Sequence, residues 1–135
     1  MTSETPRRQA RELALQGMYA WEIGELAVEE IETDTIVSED ASARTLEYAR
    51  ELFRVACRDH ERLDTIIAEL AVNWKVSRMA AVDRNILRLA ITELTEMPDV
   101  PVKVVMNEAI ELAKKFSTAD SSAFINGILD KFVKK

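Results

Sequence analysis

The side chains able to do chemistry in this chain are few and poorly grouped for catalysis. His60 is the only histidine and Cys57 the only cysteine, three positions apart. On one helix that spacing permits contact, but a nucleophilic dyad also needs an orienting third group and an oxyanion site. A chance pairing is the plainer reading. The acidic pair Glu29-Glu30 has no neighbour that would make one carboxyl an acid and the other a base. No glycine-rich phosphate loop, no His-Glu-x-x-His and no paired-cysteine metal site occurs. The sequence therefore predicts no catalytic residue, no metal ligand and no cofactor. What does cluster is arginine. Arg7, Arg8 and Arg11 are spaced so that Arg7 or Arg8 lies beside Arg11 on one helical face. Such guanidinium groups either grip phosphate bidentately or lie solvated against carboxylates such as Glu12.

The elements that must position these groups read as helices. With 135 residues, 47% apolar and 31% charged, the chain has the size and composition of one globular domain, residues 1–135, with a core of its own. Three Gly, three Pro, no Asp-Gly and a single Asn-Gly (Asn126-Gly127, inside a helical apolar stripe) favour a few long helices over many strands. No apolar run approaches the ~20 residues that span a bilayer, and the N-terminus lacks a secretory apolar stretch. A lone cysteine agrees with a reducing compartment, so a cytoplasmic location and no membrane partner are expected. The net charge of −6 repels phosphate over the surface as a whole. RNA binding, if present, needs a local basic patch or a basic partner.

Thr5-Pro6 suits a helix start, and Ala10, Leu13, Ala14, Gly17, Met18 and Trp21 recur at helical spacing toward an end near Gly24. Residues 25–40 carry seven acids and no base, read as a short acidic helix and a loop with a solvated face. From about Ala41 one stripe runs through Leu46, Ala49, Leu52, Phe53 and Ala56, and the next through Leu63, Ile66, Ile67 and Leu70. Val82, Ile86, Leu89, Ala90 and Leu94 mark a helix that ends at Met97-Pro98. Val100-Pro101 starts another, with Val105, Ala109, Leu112, Ala113 and Phe116. Ser117 with Asp120 resembles a capping box for a last helix that buries Ile125, Ile128, Leu129 and Phe132. The expectation is an all-α fold of about seven helices in two packed subdomains, N-terminal three and C-terminal four.

Four stretches carry a family resemblance: Arg7 through Tyr19 followed by Trp21; Val82 through Ala90 with Glu93-Leu94; Val100 through Phe116; and Ser121 through Lys131. Most specific is the succession of Asn107-Glu108-Ala109-Ile110-Glu111-Leu112-Ala113-Lys114 and Phe124-Ile125-Asn126-Gly127-Ile128-Leu129-Asp130-Lys131. The chain resembles the NusB family of transcription antitermination factors over about residues 6 to 133, with residues 25–75 matching in pattern more than identity. The resemblance implies a non-catalytic module that joins NusE, a small-subunit ribosomal protein. The heterodimer grips single-stranded boxA RNA and promotes read-through of ribosomal RNA operons, with other Nus factors and RNA polymerase as indirect partners. Some members self-associate, which adds a homodimer to the expected states. An acidic subunit can dock a basic ribosomal protein, and the pair then offers phosphate a favourable field.

On this resemblance the RNA-binding residues are Arg7, Arg8, Gln9, Arg11, Tyr19, Asp120, Ser121, Phe124 and Lys131. Gln9 stands where many members have another arginine, leaving the patch one charge weaker. Three phosphate contacts on a single strand give a salt slope of about −2, so stacking on Phe124 or Tyr19 must add to it, at roughly 1–3 kcal/mol per base. Phe124 precedes the apolar stripe of the last helix by one position, and that offset together with its family position favours an exposed ring. Asp120, Ser121 and Ser122 read equally as caps, and Lys114 and Lys115 as solubilising groups. The resemblance assigns Tyr19, Asp83, Leu87 and Glu93 to the protein partner; for Asp83, pairing with Arg84 or Arg88 is the alternative. Asn107 reads as a clamp on neighbouring backbone and Gly127 as a point of close helix approach. Two other functions fit such a chain. One is a helical protein-interaction scaffold without RNA binding. The other is an RNA-binding appendage of an rRNA methyltransferase-type system, against which a chain closing at Lys135 without that domain weighs.

Overall fold

In the computed structural model, which describes residues 4–72 and 74–134, the described residues form seven α-helices and a short 3-10 turn, with no strand among them. The helices are α1 (Glu4–Glu22), α2 (Val28–Asp34), α3 (Ala43–Arg58), α4 (His60–Leu70), α5 (Ala81–Glu96), α6 (Val102–Phe116) and α7 (Ala119–Lys134). The 3-10 turn, Val76–Arg78, falls between α4 and α5. The chain divides into two units at the Arg58/Asp59 junction, α1–α3 and α4–α7. That junction also ends the apparent Cys57–His60 pairing on one helix, because α3 stops at Arg58 and α4 begins at His60. Cys57 is buried, its thiol 3.6 Å from the Met18 sulfur.

In the first unit α1 takes in Thr5 and Pro6 rather than opening at them, and the Thr5 side chain expected to cap it lies outside the described residues. The helix ends at Glu22, and the chain turns through Glu25, whose φ of 55° is left-handed. The stripe of Ala10, Leu13, Ala14 and Met18 is buried, and α1 packs chiefly on α3 through Ala49, Leu52, Phe53 and Ala56. Gly17 sets the closeness of that packing. A Cβ there would stand 3.1 Å from Ile36 Cδ1, 3.1 Å from Phe53 Cδ1 and 3.3 Å from Ile31 Cγ2. Ser42 opens α3, its hydroxyl accepting the Thr45 N–H at 3.1 Å, which satisfies one orphan donor of the first turn. Arg50 donates to the Glu32 carbonyl at 2.9 Å and the Ile36 carbonyl at 3.1 Å, tying α3 to the end of α2 and the loop after it. Arg54 pairs with the Glu32 carboxylate, which holds its guanidinium above the ordinary arginine value.

In the second unit α6 packs on α7 and α5, and α4 on α5 and α7. Leu63, Ile67, Ile86, Val105, Leu112, Ile125, Ile128 and Leu129 form its core, each worth about 1.5–3 kcal/mol of apolar burial. Helix α5 is buried on every side from Asn85 through Glu93, so its polar residues are inside as well. Arg88 answers this with a bidentate grip on Asp64, at 2.8 and 2.7 Å, and a bond to Asn85 Oδ1 at 2.9 Å. Arg84 donates to the carbonyls of Val76 and Met79, both at 2.9 Å, and so pins the 3-10 turn to α5. Gly127 and Asn107 depart from their expected roles. Both are exposed, and a Cβ on Gly127 would meet nothing within 4 Å. The close approach assigned to Gly127 belongs to Gly17 instead.

Candidate nucleic-acid interface

In the first unit, the N-terminal turns of α1 expose Arg7 and Arg8. The Arg7 guanidinium lies 5.4 Å from the centroid of the Tyr48 ring on α3, a cation–π contact that orients it. Gln9 is half-buried and donates to the Ser38 hydroxyl at 3.4 Å. Arg11 is only 3% exposed and is engaged inside the protein. The expected three-arginine face is thus a two-arginine surface: one turn further along α1, packing covers Arg11 where Arg7 and Arg8 stay exposed. Tyr19, 48% exposed, lies toward the other end of α1, near exposed Ile23 and Leu26.

In the second unit, the residues expected to meet a protein partner are inside. Asp83 is 8% exposed, Glu93 2% and Leu87 0%. The expectation that these three form a docking face is corrected by the burial of α5. The Asp83 carboxylate accepts from Ser117 Oγ at 2.7 Å and Ser121 Oγ at 2.8 Å, serines in place of the Arg84 or Arg88 expected as the alternative partner. Thr118 is the residue before α7, and its hydroxyl lies 3.0 Å from Ser121 Oγ. The cap of α7 therefore sits one position later than the expected Ser117, which is diverted to Asp83. Ser121 is buried by the same network, which removes its hydroxyl from any RNA-facing role.

Asp120 is exposed on the first turn of α7, and Ser122, half-buried, bonds the Ala119 carbonyl at 3.0 Å. Lys131 is exposed, with its ammonium 3.4 Å from the Leu70 carbonyl at the end of α4. Lys114 pairs with Glu111 at 3.5 Å, and Lys115 lies 5.3 Å from the Phe116 ring centroid. Phe124 is half-buried and meets Trp74 edge-to-face, with ring centroids 5.9 Å apart and planes at 69°. Trp74 is 58% exposed. Sequence reasoning missed it, and Tyr48 as well; the signal was an aromatic ring lying off every apolar stripe, Trp74 beside Lys75 and Tyr48 one position before the buried Ala49.

Among the described residues no group of three or more His, Cys, Asp and Glu side chains could hold a metal ion, and no helix is long and apolar enough to cross a membrane. The class that fold and exposed groups define is an all-α protein presenting guanidinium groups and aromatic rings, the chemistry of phosphate and base recognition. Comparison with known proteins narrows that class. The chain belongs to the NusB family, whose model matches residues 8–134. The transcription antitermination protein NusB of Symbiobacterium thermophilum is 46% identical over 141 residues, covering 95% of this chain and 89% of the relative. That of Chloroherpeton thalassium is 43% identical over 126 residues; the match covers 92% of this chain but 59% of that longer relative. These relatives are named for antitermination, not for an enzymatic activity. Among solved structures, T. maritima NusB superposes with a TM-score of 0.89 at 33% identity, covering 96% of this chain and 91% of the other. A complex of the antitermination factors NusB and NusE with double-stranded RNA gives 0.82 at 26% identity, covering 96% and 97%.

Proposed function

We propose that this chain is a cytoplasmic, non-enzymatic transcription antitermination factor that binds single-stranded boxA-type RNA as a heterodimer with the ribosomal protein NusE. Read-through of ribosomal RNA operons is the outcome, with other Nus factors and RNA polymerase engaged indirectly. The observation that carries the RNA reading is the exposed Arg7–Arg8 pair, with Arg7 braced on Tyr48, in a chain of net charge −6. Two phosphate contacts are too few to hold a strand against that overall charge, which favours a basic partner sharing the work. A relative solved with NusE and double-stranded RNA supports the pairing with NusE and an RNA ligand. With Asp83, Leu87 and Glu93 buried, the exposed Tyr19, Ile23 and Leu26, at the end of α1 and just after it, are the apolar surface residues that favour a protein partner.

The test is a titration of boxA-type RNA, single- and double-stranded, with this chain alone and with NusE added. Tight binding of the single strand only in the presence of NusE is the expected result. No binding in either case would replace the proposal with the protein-interaction scaffold, for which the exposed Tyr19, Ile23 and Leu26 are the favouring observation.

A further inference from the structure

An exposed tryptophan needs a reason. Trp74 sits in the turn after α4, closed by its own N–H to the Ala71 carbonyl at 3.1 Å, and exposes 58% of its surface. Burial would normally recover the large apolar area of an indole, so a ring held in water is available for something else. It is also not loose. Its contact with Phe124 fixes one ring against the other, at 5.9 Å and 69°, so a planar ligand can stack on only one of them at a time. Trp74, the more exposed, offers the larger face.

What surrounds the rings narrows the ligand. Phe124, Gly127 and Lys131 follow one another at helical spacing, three and then four residues apart, along one face of α7. A Cβ at Gly127 would touch nothing within 4 Å, so the helix surface between ring and cation is bare. Lys131 brings its ammonium to the Leu70 carbonyl, where the turn bearing Trp74 begins, and Lys75, the residue after Trp74, is exposed. An exposed aromatic face, an ammonium at the base of its turn and a second exposed lysine next in the chain match an unstacked base and its adjoining phosphates.

We propose that Trp74 is a stacking platform for one nucleobase of single-stranded RNA, with Phe124 as the ring that props it and Lys131 and Lys75 as phosphate contacts. This rests on the RNA reading above and sharpens it. A base inside a duplex has no free face, so the seat selects single strands.

The experiment is anisotropy titration of a labelled single-stranded boxA-type RNA, with NusE in excess, for the unaltered chain, Trp74→Ala and Trp74→Phe. Alanine should weaken binding between about 5-fold and about 150-fold. Phenylalanine should recover most of the loss, and the salt slope should not change, since no charge is removed. If Trp74→Ala binds within twofold of the unaltered chain while Arg7→Ala/Arg8→Ala is weakened, the platform is overturned and the RNA reading stands. If Trp74→Ala loses affinity for NusE in calorimetry without RNA, the ring belongs to the protein interface and the proposal fails. Absence of RNA binding by the unaltered chain overturns both readings.

Discussion

Ser121 donates its hydroxyl to Asp83 Oδ2 at 2.8 Å, joining the first turn of α7 to the first turn of α5 across 38 residues of sequence. Ser117 donates to the other carboxylate oxygen at 2.7 Å. Each serine has one proton, so with both directed at Asp83 their own 2.9 Å approach is not a further hydrogen bond. Thr118, 3.0 Å from Ser121, then donates to the Ser121 oxygen, and all three protons are used. A buried carboxylate with both oxygens satisfied is a fastener between helices, and the loop from α6 to α7 is shaped around it.

Asp83 substitutions should therefore act on folding. Asp83→Ala removes two charge-assisted hydrogen bonds and leaves two hydroxyls with lost acceptors, a cost of about 2–4 kcal/mol. Asp83→Lys, which on the family resemblance alone would act at a protein interface, buries an ammonium in the same place and should cost at least as much. Urea unfolding followed by circular dichroism reads this directly. A midpoint for Asp83→Ala equal to that of the unaltered chain would show that the network contributes nothing.

The two mid-helix glycines should respond in opposite directions. Gly127→Ala meets open space and gains helix propensity, so it should stabilise by about 0.5–1 kcal/mol. Gly17→Val drives methyl groups into Phe53, Ile31 and Ile36, already 3.1–3.3 Å from a single Cβ, and should destabilise by about 1–3 kcal/mol. Thermal melts of the two variants side by side make the comparison, and equal shifts would refute the packing assigned to Gly17.

The arginines of α1 should separate by exposure. Arg7→Ala/Arg8→Ala removes two surface charges, so RNA affinity in the presence of NusE should fall and the salt slope should flatten by about 1.4, at roughly 0.7 per phosphate on a single strand. Arg11→Ala should lower the unfolding midpoint instead, because it truncates a buried cation already engaged within the protein. Salt titrations at several ionic strengths distinguish them; a slope change for Arg11→Ala would put that residue back on the surface.

Helix existence and type were legible because helical periodicity is a local property. Stripes such as Leu63–Ile67–Leu70 recur every three or four residues whatever the rest of the chain does, and Met97-Pro98 stops α5 through the steric demands of one ring. The family motifs and the cluster of Arg7, Arg8 and Arg11 were equally open to reading from the residues in order. Which polar residues reach solvent was decided by the tertiary structure. Arg11 differs from Arg7 by one turn, yet only packing turns that increment into burial. Helix α5 has polar residues at Asn85, Arg88, Thr92 and Glu93, the pattern of a helix with a wet face, but neighbours on every side bury all four. The partner of Asp83 lay 34 and 38 residues away, in a serine pair that reads by itself as a simple cap. Sequence alone determined where the helices run, since their hydrogen bonds span four residues; only the fold could choose among faces, because burial depends on what arrives from elsewhere in the chain.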